Sequence, residues 1–134
     1  MRAVAVTEFG GPEKLALIDA PVPQPAAGEA LVKLEYAGIN FIDVYMRSGH
    51  YARSQTYKTP LPMVIGMEGI GTDESGRRVA YCITRGSYAE YAAVPITVAP
   101  RSLAHCTRSW PTPPAAACTR QVCPFSRGKA EWLR

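Results

Sequence analysis

The sequence holds no G-x-G-x-x-G run and no Lys-Ser/Thr pair after its glycine cluster, and nowhere are about 18 apolar residues unbroken. The first absence excludes a dinucleotide-binding fingerprint, the second a phosphate loop, the third a spanning helix. A large excess of one charge is also missing from most of the chain. Residues 1–100 carry 9 Lys and Arg against 10 Asp and Glu, a net −1, whereas 101–134 carry 6 against 1, a net +5. The overall +4 is therefore a property of the tail, and a nucleic-acid reading of the body loses its footing. The first apolar stretch is interrupted by Arg2 and Glu8 and has no signal-peptide core, so a cytoplasmic protein with no membrane partner is the expectation.

The chain has 134 residues, room for one domain and a tail, and a 47% hydrophobic fraction sufficient for a small core. Its four cysteines, Cys82, Cys106, Cys118 and Cys123, match no usual disulfide or zinc spacing and should be reduced thiols. A zinc site from His105, Cys106, Cys118 and Cys123 is chemically conceivable but poorly spaced.

Met1 to Phe9 alternates, breaks at Gly10-Gly11-Pro12 and resumes from Leu15 to Asp19, the pattern of a hairpin. Pro21, Pro23 and Pro25 make Ala20 to Gly28 an extended connector. Glu29 to Ala37 reads as a strand with one polar face. Asn40 as N-cap with Asp43 three residues on predicts a helix from about Phe41 to Ser48, closed by Gly49, with Asp43 and Arg47 paired on its surface. His50 to Pro62 is a polar loop bordering a site. Val64 to Thr72, Arg77 to Ile83 and Tyr88 to Val94 read as three further strands. The fold class is mainly β, a partly open β-barrel with one or two short helices and an irregular tail.

Gly66, Gly69 and Gly71 stand in the order G-x-x-G-x-G, the reverse of the dinucleotide fingerprint, and suit close strand packing or a bend. Glu68, among them, is a candidate buried hydrogen-bond partner without catalytic weight. Taken singly, Asn40 and Asp43 are explained by helix capping and Tyr45 by packing on Phe41 one turn earlier.

Taken together, Gly38-Ile39-Asn40-Phe41-Ile42-Asp43-Val44-Tyr45, Gly66-Met67-Glu68-Gly69-Ile70-Gly71, Val79 to Tyr81 and Gly86 to Val94 resemble the catalytic domain of zinc-free quinone oxidoreductases, zeta-crystallin-like members of the medium-chain dehydrogenase/reductase superfamily. The resemblance runs from Met1 to about Val94 and implies a GroES-like domain over 1–100. It also implies an NADPH site in which Asn40, Phe41, Ile42, Asp43, Val44 and Tyr45 lie under the nicotinamide, with a quinone or other small electrophile as acceptor and a homo-oligomeric parent. Zinc alcohol dehydrogenases carry a cysteine and a histidine at the positions of Asn40 and Met67. An amide and a thioether are poor zinc ligands, so no zinc is expected. No catalytic acid or base is assigned, because the cofactor carries the chemistry. Two departures stand out: the Gly71 to Arg77 connection is short, and Gly76-Arg77-Arg78-Val79 replaces the customary Gly-Asp-Arg-Val.

The implied function is a truncated quinone oxidoreductase, weakly active or inactive alone, whose nucleotide-binding Rossmann domain is absent from the sequence. Alternatives are an enoyl reductase of the same superfamily, a nonenzymatic small barrel whose basic tail binds RNA, and an inactive truncated product. Beyond Pro100 both tryptophans and three of four cysteines appear, while isoleucine, tyrosine and aspartate vanish. That change of texture points to a frame-shifted or foreign tail over 101–134.

Overall fold

The structure is a computed structural model that describes residues 1–56, 59–96 and the backbone of the strand 121–124. The hairpin forms as its turn chemistry dictates. β1 (Arg2–Val6) pairs antiparallel with β2 (Leu15–Asp19) from Arg2↔Asp19 to Val6↔Leu15, and a 3-10 turn at Pro12–Lys14 joins them. The proline-rich connector stays extended and delivers the chain to β3 (Glu29–Ile39), 11 residues long. α1 (Phe41–Arg47) follows at once, and then come β4 (Met63–Val64), β5 (Glu68–Asp73), β6 (Arg78–Cys82), β7 (Tyr91–Pro95) and β8 (Gln121–Pro124).

These strands make two sheets. One runs β2-β1-β4, the other β6-β5-β3-β7, with β8 also on β3. β3 serves β7 through Glu29–Lys33 and β8 through Tyr36–Ile39, while β5 lies along its other edge. The β3–β5 register shifts between Leu34 and Tyr36, leaving Glu35 at the irregularity. Its carboxylate accepts from Thr72 Oγ1 at 3.0 Å and pairs with Arg78 at 3.0 Å, which binds β3, β5 and β6 together on their polar side.

Residues 88–90 join the sheets. Val4 N donates to Tyr88 O at 2.7 Å and Glu90 N to Arg2 O at 3.2 Å, while Leu34 N donates to Glu90 O at 2.9 Å. One short segment thus satisfies backbone groups of β1 and of β3, and its amides cannot also continue β7. For that reason the strand expected over Tyr88 to Val94 starts only at Tyr91.

The expected strand Val64 to Thr72 is likewise divided, because Gly66 adopts φ +93° between β4 and β5. A Cβ at Gly66 would lie 2.3 Å from Ser87 Oγ and 2.4 Å from Tyr88 Cδ1, so backbone conformation and close approach both require glycine. Gly71 is needed for approach alone, since its Cβ would fall 2.1 Å from Lys33 O across the β3–β5 pair.

Two apolar clusters fill the interior. Val4, Val6, Ala37, Met46, Met63, Ile65, Met67 and Tyr88 pack beneath α1, and Val32, Leu34, Val79, Tyr81, Ala92 and Val94 pack within the larger sheet. The expected mainly β class forms; where a partly open barrel with one or two short helices was expected, the described residues make two open sheets, no closed barrel, and a single α-helix. The tail expected to be irregular lies outside the described residues apart from β8.

Candidate functional site

α1 begins where β3 ends, so the strand fixes the origin of the helix. Asn40 holds the extended N-cap conformation (φ −137°, ψ 157°), and Asp43 completes a capping box by accepting the Asn40 backbone N–H on Oδ2 at 2.9 Å. The side-chain nitrogen of Asn40 reaches back to β5 and donates to Glu68 Oε1 at 3.0 Å. Glu68 is the partly buried hydrogen-bond partner that its place among the glycines suggested.

The expected surface pair of Asp43 and Arg47 does not form. Asp43 is buried, and its Oδ2 also accepts the Tyr88 hydroxyl at 2.9 Å. Arg47 turns away and donates to Gly10 O at 2.7 Å, tying the end of α1 to the first hairpin turn. The i,i+4 spacing is present in the helix, but a donor 45 residues downstream takes the carboxylate inward.

Burial pushes the Asp43 carboxyl up to about 6; the Asn40 N–H and the Tyr88 hydroxyl oppose that rise, and the nearby Glu68 charge adds to it. Its Oδ1 is buried without a hydrogen-bond partner.

With Asp43 and Met46 facing inward, helical periodicity turns Phe41, Val44 and Tyr45 outward. Phe41 is 74% exposed. Tyr45 is the centre of a ring cluster: its centroid lies 6.5 Å from Phe41, 5.4 Å from His50 and 6.0 Å from Tyr51, the last edge-on. Ile42 packs partly buried against the core. The six residues from Asn40 to Tyr45 therefore divide into an outward apolar and aromatic face, an inward anchor, and an amide at the N-cap.

Tyr88, His50 and Tyr51 were not singled out from the sequence. Tyr88 gave no local signal, since its role depends on the corner between the sheets. His50 and Tyr51 were visible only as part of a polar loop.

Met67 packs in the core below α1 with its thioether buried. Among the described residues no three His, Cys, Asp or Glu side chains gather into a possible metal site. The tail quartet His105, Cys106, Cys118 and Cys123 lies outside the described side chains. No described helix is long and apolar enough to cross a membrane.

Residues 26–101 match the family model of the alcohol dehydrogenase GroES-like domain. The chain belongs to that family. The GroES-like domain is 40% identical over 104 residues to the quinone oxidoreductase of Lama guanicoe, a match covering 69% of this chain and 30% of that protein. Among solved structures, a mycobacterial protein complexed with NADPH superposes with a TM-score of 0.66 at 44% identity, over 73% of this chain and 31% of the other. The quinone oxidoreductase of Thermus thermophilus, solved alone and with NADPH, gives 0.63 at 39% identity, over 74% and 31%. The chain thus spans about 30% of the length of the curated relatives it matches.

Proposed function

We propose that this GroES-like domain contributes the nicotinamide-facing part of an NADPH-dependent, zinc-independent quinone oxidoreductase. The observation that carries the reading is the outward face of α1, where Phe41, Val44 and Tyr45 are exposed while Asp43 is buried against Tyr88. Exposed aromatic surface beside a fixed amide suits a flat, partly polar ring. The quinone oxidoreductase relatives and the NADPH complexes among the similar structures support the same reading.

When bound, NADPH would supply the hydride, and water the proton, for reduction of a quinone to a hydroquinone. The domain orients the partners and excludes water. Phe41 and Tyr45 offer ring faces, Asn40 offers its amide, and Asp43, through its bonds to Asn40 and Tyr88, keeps the start of α1 in place. No side chain is assigned as acid or base. On this reading the protein acts in the cytoplasm on a small quinone or related electrophile.

Titration with NADPH, followed by cofactor fluorescence, tests the reading. Weak saturable enhancement is expected from the chain, reduced in Phe41→Ala and Tyr45→Ala. No change in cofactor emission up to millimolar protein would contradict it.

A further inference from the structure

The chain leaves α1 through a glycine and places a histidine against the ring cluster. Gly49 adopts φ +83° just past the helix, His50 N then donates to Tyr45 O at 2.9 Å, and Ala52 N donates to Gly49 O at 2.9 Å. These bonds fix the backbone of His50 and bring its imidazole to 5.4 Å from the Tyr45 ring, centroid to centroid, tilted by 40°. His50 is exposed, and among the described residues no acid forms an ion pair with it. Tyr45 remains 41% exposed with His50 in place, so its ring serves the histidine and keeps surface for a ligand. The other ionisable groups nearby are placed differently. On α1, Asp43 is buried against Tyr88 and Arg47 donates to Gly10 O; on β5, Glu68 accepts from Asn40. In the turn that holds His50, Tyr51 contributes a ring and Arg53 is exposed, and arginine keeps its charge at every working pH.

We propose that His50 sets the redox-state preference of the nicotinamide site: its imidazolium, seated on Tyr45, disfavours the cationic ring of NADP⁺ and leaves the uncharged ring of NADPH unaffected. The inference rests on the placement of the nicotinamide against Tyr45 proposed above. Histidine is the side chain that gains a positive charge as pH falls through the neutral range. A cation within about 6 Å of a tyrosine ring is attracted by its face, and the 5.4 Å separation lies inside that reach. Two effects then act together. The two positive rings repel, and the imidazolium already draws on the Tyr45 face that would otherwise attract the nicotinamide cation. Uncharged, His50 is one more ring beside Tyr45 and does not discriminate. The chemical consequence is that lower pH favours loading of the reduced cofactor and release of the oxidised one.

The test uses the whole chain, isotopically labelled, with NADP⁺ and with the tetrahydro derivative of NADP, a redox-inert probe whose ring is uncharged. Both carry the same phosphates, so the ratio of their dissociation constants cancels any phosphate titration. Amide shifts from Asn40 to Tyr45 and the ring resonances of His50 are followed at about pH 5.5 and about pH 8. The ratio should move about threefold towards the uncharged ring at the lower pH. By linkage, NADP⁺ should hold His50 uncharged to lower pH than the tetrahydro probe does. In His50→Gln the pH-dependent change should fall to near nothing although Asp43, whose carboxyl is raised to about 6 and loses its proton in the same range, is retained. Spectral dispersion reports whether that variant is folded, and the wild-type His50 resonances decide the matter even if it is not. A ratio that does not move with pH, or a change that persists in His50→Gln, overturns the proposal and leaves the placement of the nicotinamide standing. No shift from Asn40 to Tyr45 with either compound removes that placement and the proposal with it.

Discussion

The Tyr88 hydroxyl donates to Asp43 Oδ2 at 2.9 Å between two buried side chains 45 residues apart. Because Tyr88 sits at the corner that joins the two sheets, this bond couples the placement of α1 to the packing of β1 on β3. The outward face of Phe41, Val44 and Tyr45 is held from behind by that coupling.

Tyr88→Phe keeps the ring and removes the donor, leaving a buried carboxylate with one fewer bond. A loss of about 1–3 kcal/mol is expected, read as a lower denaturation midpoint with unchanged slope. Stability equal to that of the parent would show that the bond contributes nothing.

Asp43 gives a pH dependence whose sign follows from its raised pKa. The folded state holds this proton up to about pH 6, against 3.8 for the unperturbed group, so between these values the unfolded state binds fewer protons. The contribution to stability is greatest below about pH 4 and falls as pH rises towards 6, by at most about 1.4 kcal/mol per pH unit. Asp73 and Glu90 act in the opposite sense. Burial pushes Asp73 up, but the hydrogen bonds from Arg77 and Ser75 outweigh it, and Arg2 holds Glu90 down. Their contributions are lost as pH falls through the acid range. Comparison with Asp43→Asn isolates the Asp43 part: the variant should gain on the parent from pH 4 to 6. Parallel stability curves would refute the assignment.

Gly66→Ala should be among the most damaging single changes, costing roughly 2 kcal/mol or more. It would demand φ +93° of an alanine and drive Cβ into Ser87 and Tyr88, and Tyr88 in turn holds Asp43. Thermal unfolding of the soluble variant checks this; a melting temperature within a degree or two of the parent's would contradict it.

Local signals carried most of the fold. Gly10-Gly11-Pro12 marked the hairpin, the three prolines marked the connector, and Asn40 with Asp43 marked the start of α1. For Asn40 to Tyr45 the local pattern gave only the helix cap and the packing of Tyr45 on Phe41; their proposed place beside the cofactor came from the family resemblance of the whole run. What escaped was set by tertiary partners. Asp43 read as a surface charge because Arg47 stood at the right spacing, and nothing local announces Tyr88. The break at Gly66 and the turn at Tyr88 to Glu90 were hidden inside apolar runs, since periodicity does not show which edge a backbone amide serves.

We further infer that residues from about 101 are read out of frame. The family match ends at residue 101, where charge and composition change together. Translating the coding DNA near Pro100 in the other two frames should reveal a helix, then a strand, a glycine-rich turn and a helix. Closed frames lacking that pattern would make the tail native.

Purified protein should contain no stoichiometric zinc, because an amide and a thioether stand at the ligand positions and the thioether is buried in the core. Elemental analysis after mild chelation decides the point. One tightly held zinc per chain would contradict it.

On the proposed function, the outward face of α1 meets the reduced nicotinamide. Mapping NADPH binding by amide NMR on the labelled chain tests it most directly. Saturable shifts concentrated at Asn40 to Tyr45, with Tyr51 following, are expected; shifts confined to other surfaces, or none at millimolar NADPH, would rule out that placement.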